Sequence, residues 1–127
     1  MFRMLIFAKR RQDLSYDDFV AGYESSHVSL VDALTRSGLH KEMRAYCRNY
    51  LRHDHPLSTP GRHVDFDLVV EAEFTCAEDF ALTMRNIAGN DETLDRVNAD
   101  FDRLLDRSSL RYVVVDERDG GPLAASR

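Results

Sequence analysis

The chain has 127 residues, of which 43% are hydrophobic, enough to form the core of one domain of ordinary size. Its 17 Lys and Arg residues are interleaved with 22 Asp and Glu residues, and the formal net charge is -5. Because no basic patch stands out, the composition argues against nucleic-acid binding. No apolar run approaches the ~20 residues that a membrane-spanning helix needs, so we expect no membrane insertion.

The N-terminal segment and the cysteines indicate a cytoplasmic protein. Residues 1–8 are apolar but too short for a signal peptide, and the basic run Lys9-Arg10-Arg11 follows instead of a small-residue cleavage site. Cys47 and Cys76 have neither metal-binding nor redox spacing. In a reducing compartment we expect both to be free thiols.

The first two predicted elements are a strand and a long helix. Residues 1–9 are apolar on both faces, which predicts a central strand covered on both sides. In residues 15–34, large side chains recur every three or four positions, which predicts a helix. These side chains are Phe19, Tyr23, His27, Leu30 and Leu34. Ser15 is the predicted N-cap and Gly38 the C-terminal stop. His27 is the one titratable side chain on this apolar face.

Two strands joined by a long loop are predicted next. Alternation of side chains predicts strands over 41–51 and 65–74. The loop 52–64 is long for a compact domain, which makes it a candidate functional segment. The run His53-Asp54-His55, with His63 beyond it, contains metal-ligating residue types. Their spacing fits no standard site, so we predict no metal and a solvated loop at the mouth of a pocket.

Two further helices and a last strand complete the domain. The run Thr75-Cys76-Ala77-Glu78 is a capping box that opens a helix ending at Gly89-Asn90. A third helix is predicted over 91–106 and a strand over 110–117. The predicted inner faces of the two helices consist of Phe80, Ala81, Met84, Ile87, Ala88, Leu94, Val97, Phe101, Leu104 and Leu105.

This element order predicts an α+β fold. The sequence β-α-β followed by β-α-α-β is the split βαβ pattern of ferredoxin-like folds, with a four-stranded antiparallel sheet and helices on one face. The first and third strands should be central. We expect one domain over 1–118 and a flexible C-terminal tail over 119–127.

The uncovered face of the sheet predicts a partner. We place Leu5 and Phe7 at its centre and opposite charges on neighbouring strands around them. The other side chains assigned to this face are Arg44, Tyr46, Arg48, Tyr50, Asp67, Val69, Glu71 and Glu73, with either Tyr112 and Val114 or Val113 and Val115. A second copy would bury the centre and pair the charges at the rim. We therefore predict a homodimer through the sheet face, closed into a dimeric α+β barrel.

Several motifs in this order resemble the EthD-domain proteins, which are small members of the dimeric α+β-barrel superfamily. Lys9-Arg10-Arg11 is followed by Leu14-Ser15-Tyr16-Asp17-Asp18-Phe19 and then by Tyr23-Glu24-Ser25-Ser26-His27. Tyr46-Cys47-Arg48-Asn49-Tyr50 resembles the family's Tyr-x-x-Asn-His strand, with Tyr50 where His is usual. The resemblance extends over residues 2–117 and implies the same fold.

The resemblance implies several types of activity. Relatives include polyketide cyclases of the tetracenomycin type, and the wider superfamily includes cofactor-free monooxygenases, muconolactone isomerases and haem enzymes. Our first hypothesis is a cofactor-free enzyme that acts by acid/base chemistry on a small aromatic or polyketide-like carbonyl compound. Its reaction would be of the lyase, isomerase, cyclase or cofactor-free monooxygenase type. The alternatives are a non-catalytic carrier of a small apolar ligand and an accessory homodimeric protein of a catabolic or biosynthetic pathway.

The site residues follow from the helix pattern and the resemblance. His27 matches the family's characteristic histidine and is the candidate acid/base, and Tyr23, one turn away, would donate to a developing enolate oxygen. The predicted ligand-binding residues are Tyr46, Asn49, Tyr50, Asp67 and Tyr112. Strand alternation would let His27 share a cavity with Asn49 rather than with Tyr46. The alternative for His27 is a core-edge histidine that only makes a structural hydrogen bond. We expect no cofactor, because the chain has no Gly-rich phosphate loop or nucleophile elbow and shows no large apolar cavity for haem.

Overall fold

The computed structural model describes residues 1–39, 43–118 and 120–121. Its elements are β1 (Phe2–Arg10), α1 (Tyr16–Gly22), a π-helical turn (Tyr23–His27), α2 (Val28–Arg36), β2 (Met43–Tyr50), β3 (Leu68–Phe74), α3 (Ala77–Ala88), α4 (Asp91–Leu104) and β4 (Leu105–Val115). The predicted first two residues of the second strand, 41 and 42, lie outside the described residues. Residues 119 and 122–127 of the predicted tail lie outside them too.

The four strands form one antiparallel sheet in the order β2-β3-β1-β4. This arrangement confirms the ferredoxin-like α+β fold and the central position of β1 and β3. The register gives the sheet two distinct faces. Ile6 pairs with Val70 and with Tyr112 on the face that the helices cover, whereas Leu5 pairs with Val113 on the uncovered face.

The core lies between the helices and the covered face. Every second residue of β3 is buried, from Leu68 to Phe74, because a strand alternates its side chains between the two faces of a sheet. Phe19 of α1 is fully buried against this face, together with Leu104 and Leu105. Burial of these apolar side chains is the main source of stability for such a layer.

The predicted helix over 15–34 is present, but it changes its hydrogen bonding midway. The N–H of Asp18 donates to Ser15 Oγ at 3.1 Å, which confirms the N-cap. The π-helical turn then separates α1 from α2. Gly38 has a φ of 84° and the N–H of Leu39 donates to the Leu34 carbonyl, so Gly38 ends the helix in a Schellman motif.

Two element boundaries and one buried position differ from the prediction. The N-cap of α3 is Cys76, not Thr75, and its side chain makes no capping hydrogen bond. Ala81 is exposed on that helix, and Thr83 is fully buried instead. β4 begins at Leu105, five residues early, because its first residues pair with the end of β1. A buried position fits helix and strand patterns equally well, so apolar spacing alone could not find this boundary.

In the described parts of the chain, no helix combines the length and the hydropathy needed to cross a lipid bilayer.

Candidate functional site

A cavity of about 380 Å³ lies between the helices and the covered face of the sheet. Its wall is mostly aliphatic and aromatic, and its volume is in the range of small-molecule sites. The lining side chains with polar atoms are Tyr23, His27, Tyr46, Thr83, Asn98, Arg107 and Tyr112. The pocket formed within one chain is therefore between helix and sheet, rather than on the face where a barrel would close.

His27 is buried in the wall of this cavity and pairs with a carboxylate. Its Nδ1 lies 3.3 Å from Oδ2 of Asp100, which is also buried. A carboxylate at this position accepts from Nδ1–H, so the neutral ring keeps an acceptor lone pair on Nε2. No group in the described part of the chain hydrogen-bonds to Nε2. Burial lowers the pKa of His27, and Asp100 opposes that shift.

Two further donors hold the Asp100 carboxylate in place. Ser26 Oγ donates to Asp100 Oδ1 at 2.6 Å, and Arg103 Nη2 donates to the same oxygen. The sequence interpretation did not identify Asp100. A signal for it existed, because Asp100 is three residues from both Val97 and Arg103 and four from Leu104, on the inner edge of α4.

The π-helical turn supplies both His27 and its hydrogen-bonded neighbour Ser26. The N–H of Val28 donates to the Tyr23 carbonyl, five residues back. Such turns are rare and are frequently found at functional sites. The Tyr23 and His27 ring centroids are 5.0 Å apart, so both side chains face the cavity.

Tyr23 and Tyr46 place two phenols beside the cavity. Their hydroxyl oxygens are 3.3 Å apart, and either can be the donor. Burial raises the pKa of Tyr23 well above its ordinary value and that of Tyr46 to about 12. Both side chains therefore stay protonated at neutral pH and can donate hydrogen bonds.

Tyr50 supports Tyr23 from behind instead of lining the cavity. Its hydroxyl donates to Glu24 at 2.6 Å, and Arg48 makes two hydrogen bonds to the same carboxylate. Its ring meets that of Tyr23 edge-on at 6.2 Å. Tyr46, Arg48 and Tyr50 thus lie on the helix-covered side, and their assignment to the uncovered face was wrong.

Asn49 lies on the opposite face from His27. Its side-chain amide donates to the Val69 carbonyl and to Glu71, at 3.1 Å each. The expectation that His27 shares a cavity with Asn49 rather than Tyr46 was therefore wrong. The reason is the register with β3, which pairs Tyr46 with the buried Ala72 and Asn49 with Val69.

Asp67 also lies away from the cavity. It accepts from the backbone N–H of Arg10 at 2.9 Å and lies 3.4 Å from His53 Nε2. The ring of His53 stacks on that of His63 at 5.0 Å. In the described segments, no group of three or more His, Cys, Asp or Glu side chains is arranged to hold a metal ion. Tyr112, by contrast, lines the cavity, and its role in ligand binding stays a prediction.

Solved structures of similar fold include proteins of a plant and two bacteria. A protein of Arabidopsis thaliana is 12% identical, with a TM-score of 0.62, over 96% of this chain and all of that one. An EthD family protein of Bacillus halodurans is 18% identical, with a TM-score of 0.61, over 93% of this chain and all of that one. A dimeric protein of unknown function from Bacteroides fragilis, with a ferredoxin-like fold, is 14% identical, with a TM-score of 0.58, over 91% of this chain and 95% of that one.

These identities establish a shared fold and no shared activity. Among curated proteins, none matches the sequence. The EthD domain, as a family, matches residues 11–108, which are most of the chain and include the whole of the π-helical turn and Asp100. The chain therefore belongs to the EthD domain family.

Proposed function

We propose that this protein is a cofactor-free enzyme that removes a proton from a small aromatic or polyketide-like carbonyl compound, with His27 as the general base. The observation that carries the proposal is the buried His27–Asp100 pair in the wall of an apolar cavity. Proton abstraction is favoured by a ring nitrogen that a carboxylate holds in one tautomer and that, among the described residues, has no hydrogen-bond partner.

The proton transfer uses three groups. Because burial lowers the pKa of His27, its ring is neutral at neutral pH and Nε2 accepts the substrate proton. The negative charge moves to the carbonyl oxygen of the substrate, to which Tyr23 or Tyr46 donates a hydrogen bond. Asp100 stabilises the imidazolium that forms. Return of the proton to another carbon gives isomerisation, and attack of the enolate on a second carbonyl gives cyclisation.

An apolar probe with an acidic C–H bond tests this proposal. When a base removes the C–H proton of 5-nitrobenzisoxazole, the N–O bond breaks and a coloured cyanophenolate forms. We expect the protein to accelerate this reaction and His27→Ala to lose about 100-fold of the rate. His55→Ala, in the loop outside the cavity, is the matched control and should react like the wild type. Equal rates for the wild type and His27→Ala would contradict the proposal.

The nearly apolar wall also favours a second candidate, a carrier of a small apolar ligand. A carrier would retain its ligand through purification and would have no turnover to lose. Native mass spectrometry distinguishes the two. A bound small molecule that is recovered unchanged after prolonged incubation, with no proton transfer in the probe assay, would favour the carrier.

We also propose that two copies associate through the uncovered face into a barrel, in the cytoplasm. Leu5, Phe7, Val69 and Val113 share that face. The similar Bacteroides fragilis protein, itself described as dimeric, supports this assembly.

A further inference from the structure

One end of the cavity wall is exposed and carries a charge. Met84 and Tyr112 are 38% and 45% exposed, although both line the cavity, which places its mouth between α3 and β4. Arg107 lines the same cavity and is exposed as well. Among the described residues that line the cavity, Arg107 is the only one with a permanent charge.

Arg107 and His27 approach the same aromatic ring. The guanidinium carbon of Arg107 is 6.0 Å from the ring centroid of Phe101, and the His27 ring is 5.0 Å from that centroid. The two groups are therefore no further apart than the sum of these distances. That upper limit would accommodate a two-ring aromatic molecule with one substituent at each end.

The present partners of Arg107 can be replaced by a ligand. Arg107 contacts Asp102 at 3.2 Å and the side-chain oxygen of Asn98 at 3.0 Å. The Asp102 side chain is 65% exposed, so water weakens this ion pair. A ligand carboxylate seated in a largely apolar cavity would be less hydrated and would form a two-pronged pair with the guanidinium.

We propose that the cavity takes an anionic aromatic substrate, whose carboxylate is bound by Arg107 at the mouth while the group that loses its proton lies against His27. This inference rests on the proposed function and adds the substrate class to it. The Tyr112 hydroxyl is a second donor at the mouth. Partial desolvation raises the pKa of this half-exposed Tyr112 side chain and the charge of Arg107 opposes that shift, so the phenol stays protonated at neutral pH.

A matched pair of probes tests the carboxylate without any turnover. 6-Hydroxy-2-naphthoate and 2-naphthol have the same two rings and the same hydroxyl group, and only the naphthoate carries a carboxylate. By isothermal titration calorimetry at neutral pH and low salt, we expect the naphthoate to bind about tenfold more tightly than the naphthol. Arg107→Met should abolish this preference, so that the naphthoate and 2-naphthol bind this variant with similar affinity. Arg111→Met, on the same strand but outside the cavity, is the control and should keep the preference for the naphthoate.

The outcomes separate this inference from the proposed function. Equal binding of the two probes to the wild type, or an unchanged preference in Arg107→Met, would overturn the anionic substrate and leave proton abstraction by His27 standing. Absence of binding by both probes would overturn it as well. If the wild type and His27→Ala react equally fast with 5-nitrobenzisoxazole but the wild type still prefers the naphthoate, the proposed enzyme activity is contradicted and the anion-binding cavity stands.

Discussion

At the scale of single residues, the decisive feature is the environment of one histidine. Two opposing effects act on His27, because burial lowers its pKa and the Asp100 carboxylate raises it, with burial the larger effect. A general base is most useful when its pKa lies near or just below the working pH. The lowered pKa keeps the His27 ring neutral at pH 7, which is the state that the proposed general base requires.

The first prediction concerns Asp100, which acts through His27. The base must be neutral, so the wild-type rate with 5-nitrobenzisoxazole should fall as the pH falls through the His27 pKa, below 6.5. Asp100→Asn removes the effect that raises this pKa, so the fall should move to lower pH. The plateau should drop by at least about tenfold, because an amide can donate to Nδ1 and select the wrong tautomer.

Asp95→Asn is the control, since this carboxylate is exposed on the same helix. A pH–rate profile for each variant, recorded with circular dichroism to check folding, provides the measurement. A pH profile of Asp100→Asn that coincides with the wild type in both position and height would rule out a positioning role.

At the scale of secondary structure, the helix that carries the site is built from local signals. Its N-cap and its Schellman end are both formed by residues at the predicted positions. Only the π-helical turn was missed, because its wider turn requires packing of the rest of the molecule around Tyr23 and His27.

The second prediction is that the cap contributes measurably to stability. Ser15→Ala leaves the N–H of Asp18 without its side-chain acceptor, which should lower the free energy of unfolding by about 1 kcal/mol. Ser29→Ala is the matched control, because this exposed hydroxyl bonds only to a carbonyl of its own helix. Urea denaturation measures the free energy of unfolding of both variants and of the wild type. A cap variant as stable as the wild type would show that water replaces Ser15 without cost.

At the scale of the whole molecule, the uncovered face is the proposed interface between two copies of the chain. Arg3 lies at one end of it, within 3.2 Å of Glu71 and 2.7 Å of Glu73 of the same chain. The charges that we expected to pair across a dimer are thus partly paired within one copy. The apolar strip of Leu5 and Val113 beside them remains available to a second copy.

The third prediction tests this assembly by native mass spectrometry. We expect a dimer for the wild type and a monomer for Val113→Lys, because burying an ammonium group in an apolar interface carries a large desolvation cost. Leu57→Lys, at a loop position that is 91% exposed, should stay dimeric. A monomeric wild type, or a Val113→Lys variant that is as fully dimeric as the wild type, would exclude this face as the interface.

The sequence by itself determined the elements, the central strands, and the helix face that carries Tyr23 and His27. Those features depend on contacts between residues a few positions apart, such as helical spacing, strand alternation and the Ser15 cap. The secondary structure of such residues can be predicted from the residues next to them in the sequence.

Only the tertiary structure decided which side chains meet His27. Alternation divides β2 into two faces, but both contain polar side chains, so the buried face is fixed only by pairing with β3. Asp100 lies 73 positions from His27 in the sequence. Without knowledge of its partner, a helical Asp is expected to face solvent. Arg107 reaches the mouth because the chain leaves α4 at Leu104 and pairs with β1. Contacts between distant segments set the site, since packing brings together groups that no local pattern relates.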